Sequence, residues 1–156
     1  MLPTTLLNMI KSFEIINVDK TSLYYFIMIG DIEILNKHEA AWDEWMCRCA
    51  TRYGQLECLK YLHENGCPWD ELTCEYGAQY GQLECLKYLH ENKCPWDEWT
   101  CETAAQYGQL ECLKYAHENG SLRLRPQASC PIDISRCLEV AKENNHQHIV
   151  EYLSSF

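Results

Sequence analysis

The sequence predicts an all-α fold, a solenoid of about five stacked helix-turn-helix repeats with an N-terminal capping helix. A 27-residue block occurs twice in succession, from Gly54 to Tyr80 and from Gly81 to Tyr107, with only four differences. Partial copies lie on both sides of it. A fixed period of roughly 20–50 residues is typical of stacked repeats. No stretch alternates apolar and polar residues convincingly, so we expect essentially no strand.

The first part of each block reads as a helix. Apolar residues recur at helical spacing from Leu56 to Leu62. Gly66 can take the left-handed conformation that ends a helix, and Pro68 prevents its continuation. Lys93 replaces this glycine in the second copy, so we expect slight strain there.

A second helix follows the Cys-Pro-Trp-Asp connector, over about Glu71 to Tyr80. Asp70 and Asp97 stand where helix N-caps belong, and Gly81 marks the turn into the next copy. The side chains expected to face the core are Leu72, Cys74 and Ala78.

Around the two full copies the period weakens, as capping units require. We predict a single repeat domain over 1–156. Its parts are an N-terminal cap (1–19), a degenerate repeat (20–43), repeats at 44–69, 70–96 and 97–132, and a C-terminal capping repeat (133–156). The last full repeat carries an insertion at 121–129.

Composition narrows the possible partners. A net charge of −10 disfavours nucleic acid, because phosphate binding needs clustered Lys and Arg. The longest apolar stretches fall short of the ~20 residues of a membrane span, and no signal peptide is recognisable. The acidic pairs Asp43-Glu44, Asp70-Glu71 and Asp97-Glu98 recur once per repeat. Helix capping explains each pair, while their sum would attract a basic protein.

Eleven cysteines raise the possibility of disulfides or a metal site. Most recur at one period, as in the ladder Cys58, Cys85 and Cys112. Equivalent positions in stacked repeats lie beyond the ~7 Å Cα limit of a disulfide. No CxxC motif is present, so we predict no metal and no cofactor. Reduced thiols buried in an intracellular protein are the favoured interpretation.

The histidines and tryptophans also recur with the period. His63, His90 and His117 are too far apart to share a metal ion, so we expect each to pack on the following Pro-Trp and to hydrogen-bond at its polar end. His146 and His148 are expected on solvated surface. Five tryptophans could form a binding ladder, but connector packing explains the periodic ones, Trp42, Trp69 and Trp96, more simply.

Catalysis is not predicted. A Cys/His pair such as Cys58 and His63 could be drawn in each repeat. Three identical copies of such a pair would have no asymmetric pocket and no evident oxyanion donor. We therefore expect a protein that is not an enzyme.

The segment Trp99–Gly120 resembles the two-helix half of an ankyrin repeat, whose pattern is TPLHxAAxxGHLEVVxxLLxxGA. Ala104-Ala105, Gly108, Leu110-Glu111 and Gly120 fall on its fixed positions. The ankyrin period is about 33 residues, so the projecting finger is missing here. The TPLH signature is absent as well. The repeats are similar to the finger-less Cys-Pro-Trp-Asp repeats of giant DNA viruses of amoebae and some of their hosts.

The resemblance implies a protein–protein interaction scaffold that binds through the concave face of the stack, formed by the first helix of each pair. Residues there differ between copies, and the insertion adds two arginines to an acidic chain. The predicted partner-binding residues are Arg48, Arg52, Glu75, Tyr76, Gln79, Glu102, Thr103, Gln106, Arg123 and Arg125.

Two alternative functions accompany this one. Residues Leu2–Phe13 are similar to the first helix of an F-box, which would make the chain a substrate adaptor for a host ubiquitin ligase; an apolar capping helix is the simpler account. A structural or assembly protein of a viral particle is the other. The oligomeric state is not predicted.

Overall fold

The fold is described here from a computed structural model, which covers residues 20–37, 42–120 and 133–156. These ranges hold ten α-helices and no strand. They are α1 (Lys20–Ile29), α2 (Ile32–Lys37), α3 (Glu44–Arg52), α4 (Leu56–Glu64), α5 (Glu71–Gln79), α6 (Leu83–Glu91), α7 (Glu98–Gln106), α8 (Leu110–Gly120), α9 (Ile134–Glu143) and α10 (Gln147–Leu153). The predicted N-terminal helix and the 121–129 insertion with Arg123 and Arg125 lie outside the described residues.

Successive helices pack as pairs, from α1 with α2 to α9 with α10, and the pairs stack in chain order. The predicted all-α solenoid of helix-turn-helix repeats is thereby confirmed. The first helices of neighbouring pairs pack closely, whereas the second helices contact one another much less. Because the first helices are more closely spaced, the stack bends towards them and their row forms its inner side.

Small side chains allow the first helices to approach one another. Ala50, Ala78 and Ala104 are fully buried. Gly77 lies so close to α3 that a Cβ added to it would stand 3.3 Å from Thr51 Cγ2. The second helices contribute the larger core residues, such as Leu59 and Leu86 in α4 and α6. Close backbone approach therefore shapes the inner row, and leucine packing fills the space behind it.

Left-handed residues end helices where the repeat predicted them. Gly54 and Gly81 have φ of 68° in the turns before α4 and α6. Gly66 has φ of 84° after α4, and Lys93 takes φ of 64° at the same point after α6. The predicted strain at Lys93 is confirmed, since a side chain in this region costs roughly 1–2 kcal/mol.

Aspartates cap the first helices. Asp97 accepts a hydrogen bond from the backbone N–H of Trp99 at 3.1 Å. At α5, the Thr73 hydroxyl donates to the Asp70 carboxylate at 3.1 Å and accepts from the Asp70 N–H at 3.3 Å. The predicted N-caps Asp70 and Asp97 are confirmed, and each fixes where the chain enters its helix.

A ladder of side-chain hydrogen bonds ties each pair to the one before it. The Gln82 amide donates to the carbonyl of Arg52 at 3.3 Å, and Gln55 donates to the carbonyl of Met28 at 2.8 Å. Gln109 repeats the bond to the carbonyl of Gln79 at 3.4 Å. We call these bonds the carbonyl ladder. They satisfy carbonyls at the ends of first helices that have no partner within the helix.

Leu72 was expected in the core, and this is wrong: it is 38% exposed. Thr73, Cys74, Gly77 and Ala78 are the buried residues of α5. These four lie on one side of the helix at i, i+1, i+4 and i+5. The residue before them is therefore turned towards the inner surface of the stack.

The thiols fill small spaces in the core. Ten cysteines lie in the described ranges; all are free and nine are buried. The Cys67 thiol donates to the carbonyl of Asp43 at 3.4 Å, and Cys94 repeats this bond to Asp70 at 3.3 Å. Of the helices described, none is long and apolar enough to cross a membrane.

Candidate interaction groove

The inner row of helices carries a groove with two adjoining clefts. The first cleft, of about 150 Å³, is lined by Tyr24, Trp45, Arg48, Cys49, Arg52, Tyr53 and Tyr76, and we call it the aromatic cleft. The second, wider cleft, of about 310 Å³, is lined by Trp45, Arg48, Leu72, Glu75, Tyr76, Gln79, Thr103, Gln106 and Tyr107, and we call it the polar cleft. Trp45, Arg48 and Tyr76 border both, so the surface is continuous from α1 to α7.

Seven of the predicted partner-binding residues line this groove: Arg48, Arg52, Glu75, Tyr76, Gln79, Thr103 and Gln106. Glu102 does not line either cleft. Its carboxylate Oε1 lies 2.9 Å from Nε of Arg136 on α9, an ion pair between neighbouring helices. The structure therefore brings most of the predicted set together and gives Glu102 a partner within the chain.

Arg48 is held in place by two contacts. Its Nε donates to the Asp70 carboxylate at 3.1 Å, and a second, shorter contact makes the pair bidentate. Its guanidinium also lies 4.9 Å from the centroid of the Trp45 ring. Burial opposes ionisation of Asp70, but bonding to Arg48 and Thr73 outweighs burial, so the pKa of Asp70 lies below its ordinary value. Arg48 is thus largely neutralised where the two clefts meet.

Arg52 has a different environment at the end of α3. Its guanidinium carbon lies 4.8 Å from the ring centroid of Tyr80 and 5.5 Å from that of Tyr53. The side chain is exposed. Among the residues that the structure describes, no carboxylate pairs with it. Aromatic rings therefore hold this charge in position without neutralising it.

An aromatic surface runs along the groove. The Trp45 and Tyr76 rings meet edge to face with centroids 6.4 Å apart, and Tyr76 stacks on Tyr80 at 6.1 Å. Trp45 and its repeat equivalent Trp99 are each 52% exposed. Large exposed aromatic side chains are typical of binding surfaces. The sequence assigned only Trp42, Trp69 and Trp96 to packing and made no separate assignment for Trp45 and Trp99, each of which is the second residue of a first helix.

Glu75 gives the polar cleft an acidic centre. Burial raises the pKa of its carboxyl group, and the charges of Asp97, Glu71 and Asp70 raise it further. Gln79, Thr103 and Gln106 surround this part of the groove with hydrogen-bonding groups. The two clefts therefore differ in character: one is aromatic with arginine, the other polar with a single partly buried acid.

Away from the groove, the predicted packing of His63 and His90 on the following tryptophans is confirmed, whereas His117 meets the Tyr152 and Phe156 rings edge to face. His63 stacks on Trp69 with centroids 3.7 Å apart, and His90 stacks on Trp96 at 4.4 Å. Nδ1 of His90 lies 3.0 Å from the Tyr115 hydroxyl. These rings are half-buried rather than fully enclosed. Burial lowers the pKa of His90 below its ordinary value of 6.5.

His146 and His148 are not merely solvated, as the sequence had suggested. The Nε2 atom of His146 lies 2.8 Å from the Gln106 carbonyl, and Nε2 of His148 lies 2.9 Å from the Gly108 carbonyl. His146 takes the last position of the carbonyl ladder, where earlier repeats have glutamine. The His146 residue is half-buried and His148 is exposed, and both join the last pair to the rest of the stack.

Within the described ranges, no group of three or more His, Cys, Asp or Glu residues could hold a metal ion. The arrangement in the groove offers aromatic faces, hydrogen-bonding amides and two arginines. These groups suit recognition of another protein.

Comparisons with known proteins agree with this architecture. Residues 46–90 match the family of ankyrin repeats (many copies). The fold is similar to the crystal structure of the human ASB11 ankyrin repeat domain, with a TM-score of 0.65 and 17% sequence identity, over 85% of this chain and 67% of that one. A search of curated proteins gave no match. At this identity the structural likeness shows the fold alone: stacked helix pairs as in an ankyrin repeat domain. Ankyrin repeats are generally modules for protein–protein interaction, and their fold is typically non-catalytic.

Proposed function

We propose that this chain is a non-catalytic scaffold whose groove binds a segment of a partner protein. One observation carries the proposal: sequence variation between the repeats falls on the groove. The positions of Arg48, Cys49 and Arg52 in α3 are taken by Glu75, Tyr76 and Gln79 in α5. The helices behind them, α4 and α6, are identical in sequence. Recognition of a partner needs differing side chains on one face, while stacking needs equal ones on the other.

The groove also has the composition expected of an interface. Its aromatic side chains supply large contact areas with few rotatable bonds, and its amides supply orienting hydrogen bonds. An extended segment across α3, α5 and α7 would contact both clefts at once.

The acidic pairs along the first helices favour a basic segment beside the groove. Because Arg48 already binds Asp70, this carboxylate attracts a basic segment less than the exposed Glu44 and Glu98 do. We further propose a reducing, intracellular location, since the described cysteines are free thiols of the core.

Two finer roles stay proposals. A chain similar to the Cys-Pro-Trp-Asp repeats of giant DNA viruses would act on host proteins or assemble within a viral particle. An F-box-like segment at 1–19 would instead recruit a ubiquitin-ligase adaptor. A pull-down with and without residues 1–19 separates these roles, because only the adaptor role requires ligase components that depend on the segment.

Selection of displayed peptides on the full chain tests groove binding. Random dodecapeptides are selected on the purified protein, and the affinity of enriched peptides is measured by fluorescence anisotropy. A groove variant carries Tyr76→Ala, Gln79→Ala and Gln106→Ala. A control carries Lys60→Ala, Glu64→Ala and Lys87→Ala on the second helices. We expect the groove variant to bind at least about tenfold more weakly and the control to bind as the native chain does. Equal affinity for all three proteins would reject the groove.

A further inference from the structure

The aromatic cleft has the size of one aromatic side chain. Its volume of about 150 Å³ is that of a protein cavity known to accept a benzene ring. Tyr24, Trp45, Tyr53 and Tyr76 supply four rings to its walls. Aromatic rings pack well against other rings in edge-to-face or offset geometry. The walls therefore suit a Phe, Tyr or Trp side chain.

The two arginines of the cleft have different capacities for a ligand. Arg48 donates from Nε and one terminal nitrogen to the two oxygens of the Asp70 carboxylate, so its charge is already paired within the chain. Arg52 forms no ion pair and no side-chain hydrogen bond within 20–37, 42–120 and 133–156. Its contacts are with the rings of Tyr53 and Tyr80. A guanidinium held by ring contacts still has its N–H edges to donate.

Free guanidinium edges match a carboxylate. Arginine donates two parallel hydrogen bonds to such a group, and these charge-assisted bonds are among the strongest in proteins. The chain as a whole carries a net charge of −10, yet no carboxylate of the described residues neutralises Arg52. The charge of Arg52 thus complements an acidic group of a partner and not a basic one.

We infer that the aromatic cleft recognises a partner segment in which an Asp or Glu stands within two residues of a Phe, Tyr or Trp. The aromatic side chain enters the cleft, and the carboxylate binds Arg52 at its edge. This inference rests on the proposed function and adds the chemistry of the partner to it.

The sequence of α3 differs from those of α5 and α7 at positions that form this cleft. Position 49 is a small cysteine in α3, where α5 carries the large Tyr76 and α7 carries Thr103, which is close to cysteine in size. Position 52 is arginine, whereas both other helices carry glutamine at the equivalent position. The small residue opens the space and the arginine charges it. The residues that replace Cys49 and Arg52 in other repeats, tyrosine and glutamine, are therefore already accommodated by the same fold.

The test uses these repeat-matched substitutions in the full chain, with dodecapeptides selected on the native protein as probes. Arg52→Gln introduces the residue of α5 and α7, and Cys49→Tyr fills the cleft with the residue of α5. Lys87→Gln on α6 removes the same charge away from the groove. Circular dichroism and thermal unfolding establish that each variant is folded. Affinities are measured by fluorescence anisotropy, and sedimentation velocity detects self-association.

We expect the enriched peptides to share an acidic residue next to an aromatic one. Arg52→Gln should weaken their binding about 10- to 100-fold, and Cys49→Tyr at least about tenfold, since each removes a main contact. Lys87→Gln should change it less than about twofold. Replacing the acidic residue of the peptide by its amide should weaken binding to the native chain and have little further effect on Arg52→Gln.

Other outcomes overturn the inference. Enriched peptides that lack the acidic and aromatic pair, or no enrichment at all, would do so. Unchanged peptide affinity in Arg52→Gln would do so as well. A dimer that Arg52→Gln dissociates would make a second copy of the chain the occupant. Peptides that lose affinity in the triple groove variant but not in Arg52→Gln reject this inference and leave groove binding intact. Peptides whose affinity changes neither in the triple groove variant nor in Arg52→Gln reject both this inference and groove binding.

Discussion

At the scale of single residues, Asp70 links capping to recognition. Its backbone and carboxylate form the capping box with Thr73 at the start of α5. The same carboxylate binds Arg48 of the preceding pair. One acidic residue therefore starts a helix, joins two repeats and neutralises one of the two arginines that line the groove. In the next repeat Glu75 stands in the position of that arginine, and the Asp97 carboxylate caps α7.

Lys93 predicts a gain in stability from a single substitution. Lys93→Gly should raise the free energy of unfolding by about 0.5–1 kcal/mol, because the left-handed conformation costs a side chain roughly 1–2 kcal/mol and glycine loses part of this gain through entropy. Gly66→Lys, at the same position after α4, should lower it by a similar amount, since nothing lies within 4 Å of the added Cβ. Urea unfolding measures both. Changes of the same sign in both variants would contradict the argument.

His90 predicts a dependence of stability on pH. Burial lowers the pKa of its ring below 6.5, so the folded protein holds it neutral where the unfolded chain protonates it. Its contribution is complete above pH 6.5 and is lost as the pH falls through the folded pKa. The free energy of unfolding should therefore decrease between pH 7.5 and 5.5, and it should decrease less in His90→Gln.

Urea unfolding at both pH values and an NMR titration of the His90 ring make this measurement. Glu75 and Asp97 act in the opposite sense at lower pH, because their pKa values are raised by burial first and by nearby carboxylates second. The comparison with His90→Gln cancels their contribution. An NMR pKa of 6.5 or higher for His90 would contradict this prediction.

The residues that sequence could predict are those that impose a local backbone conformation. Gly54 and Gly66 each indicate a turn and Asp97 indicates a helix N-cap, independently of the rest of the fold. Leu72 was assigned to the core because hydrophobicity does not fix the rotation of a helix about its axis. Tyr53, Tyr80 and Tyr107 are not predicted for another reason: they are the same in every copy, whereas variation between copies is the signal that indicates binding residues. That the seven groove residues bind a partner stays a prediction.

At the scale of helices, the carbonyl ladder explains why the turns before α2, α4, α6 and α8 carry glycine, whereas the turn before α10 carries Asn145. Gly54 has φ of 68°, and the amide of Gln82, which bonds to the Arg52 carbonyl, occupies the space where a Cβ would stand. Two requirements therefore coincide at one residue, one from its own backbone and one from the next repeat.

Gly54→Ala should consequently be more destabilising than Gly66→Ala. Both pay the left-handed cost of roughly 1–2 kcal/mol, but only the first displaces the glutamine and loses its hydrogen bond, a further ~0.5–1.5 kcal/mol. Urea unfolding gives the two values. In a double-mutant cycle, Gln82→Ala should remove the additional loss of Gly54→Ala. Additive effects of the two substitutions would mean that Gln82 does not constrain the turn.

At the scale of the whole molecule, stability should follow the number of stacked pairs, because each pair contacts chiefly its neighbours. Deletion of residues 54–80 joins α3 directly to α6, whose sequence is that of α4. We expect the shorter chain to keep its helix content per residue. Its free energy of unfolding should be lower by about 1–4 kcal/mol.

Circular dichroism and urea unfolding of the deletion variant and the full chain provide this comparison, and the dependence on urea should fall roughly with chain length. A variant that fails to fold would show that contacts beyond nearest neighbours hold the stack. The variant also lacks Tyr76 and Gln79, so it serves as a natural control for groove binding.

The identity of α4 and α6 has a consequence for how the chain finds its register during folding. Either helix offers the same buried residues to α3, so a folding chain can join α3 to α6 and leave one block looped out. The native register prevails because it stacks one more pair and buries that pair's core. The differing first helices, with Thr51 against Gly77, then distinguish neighbours that the second helices cannot tell apart. The first helices, and not the second, thus keep the copies in order.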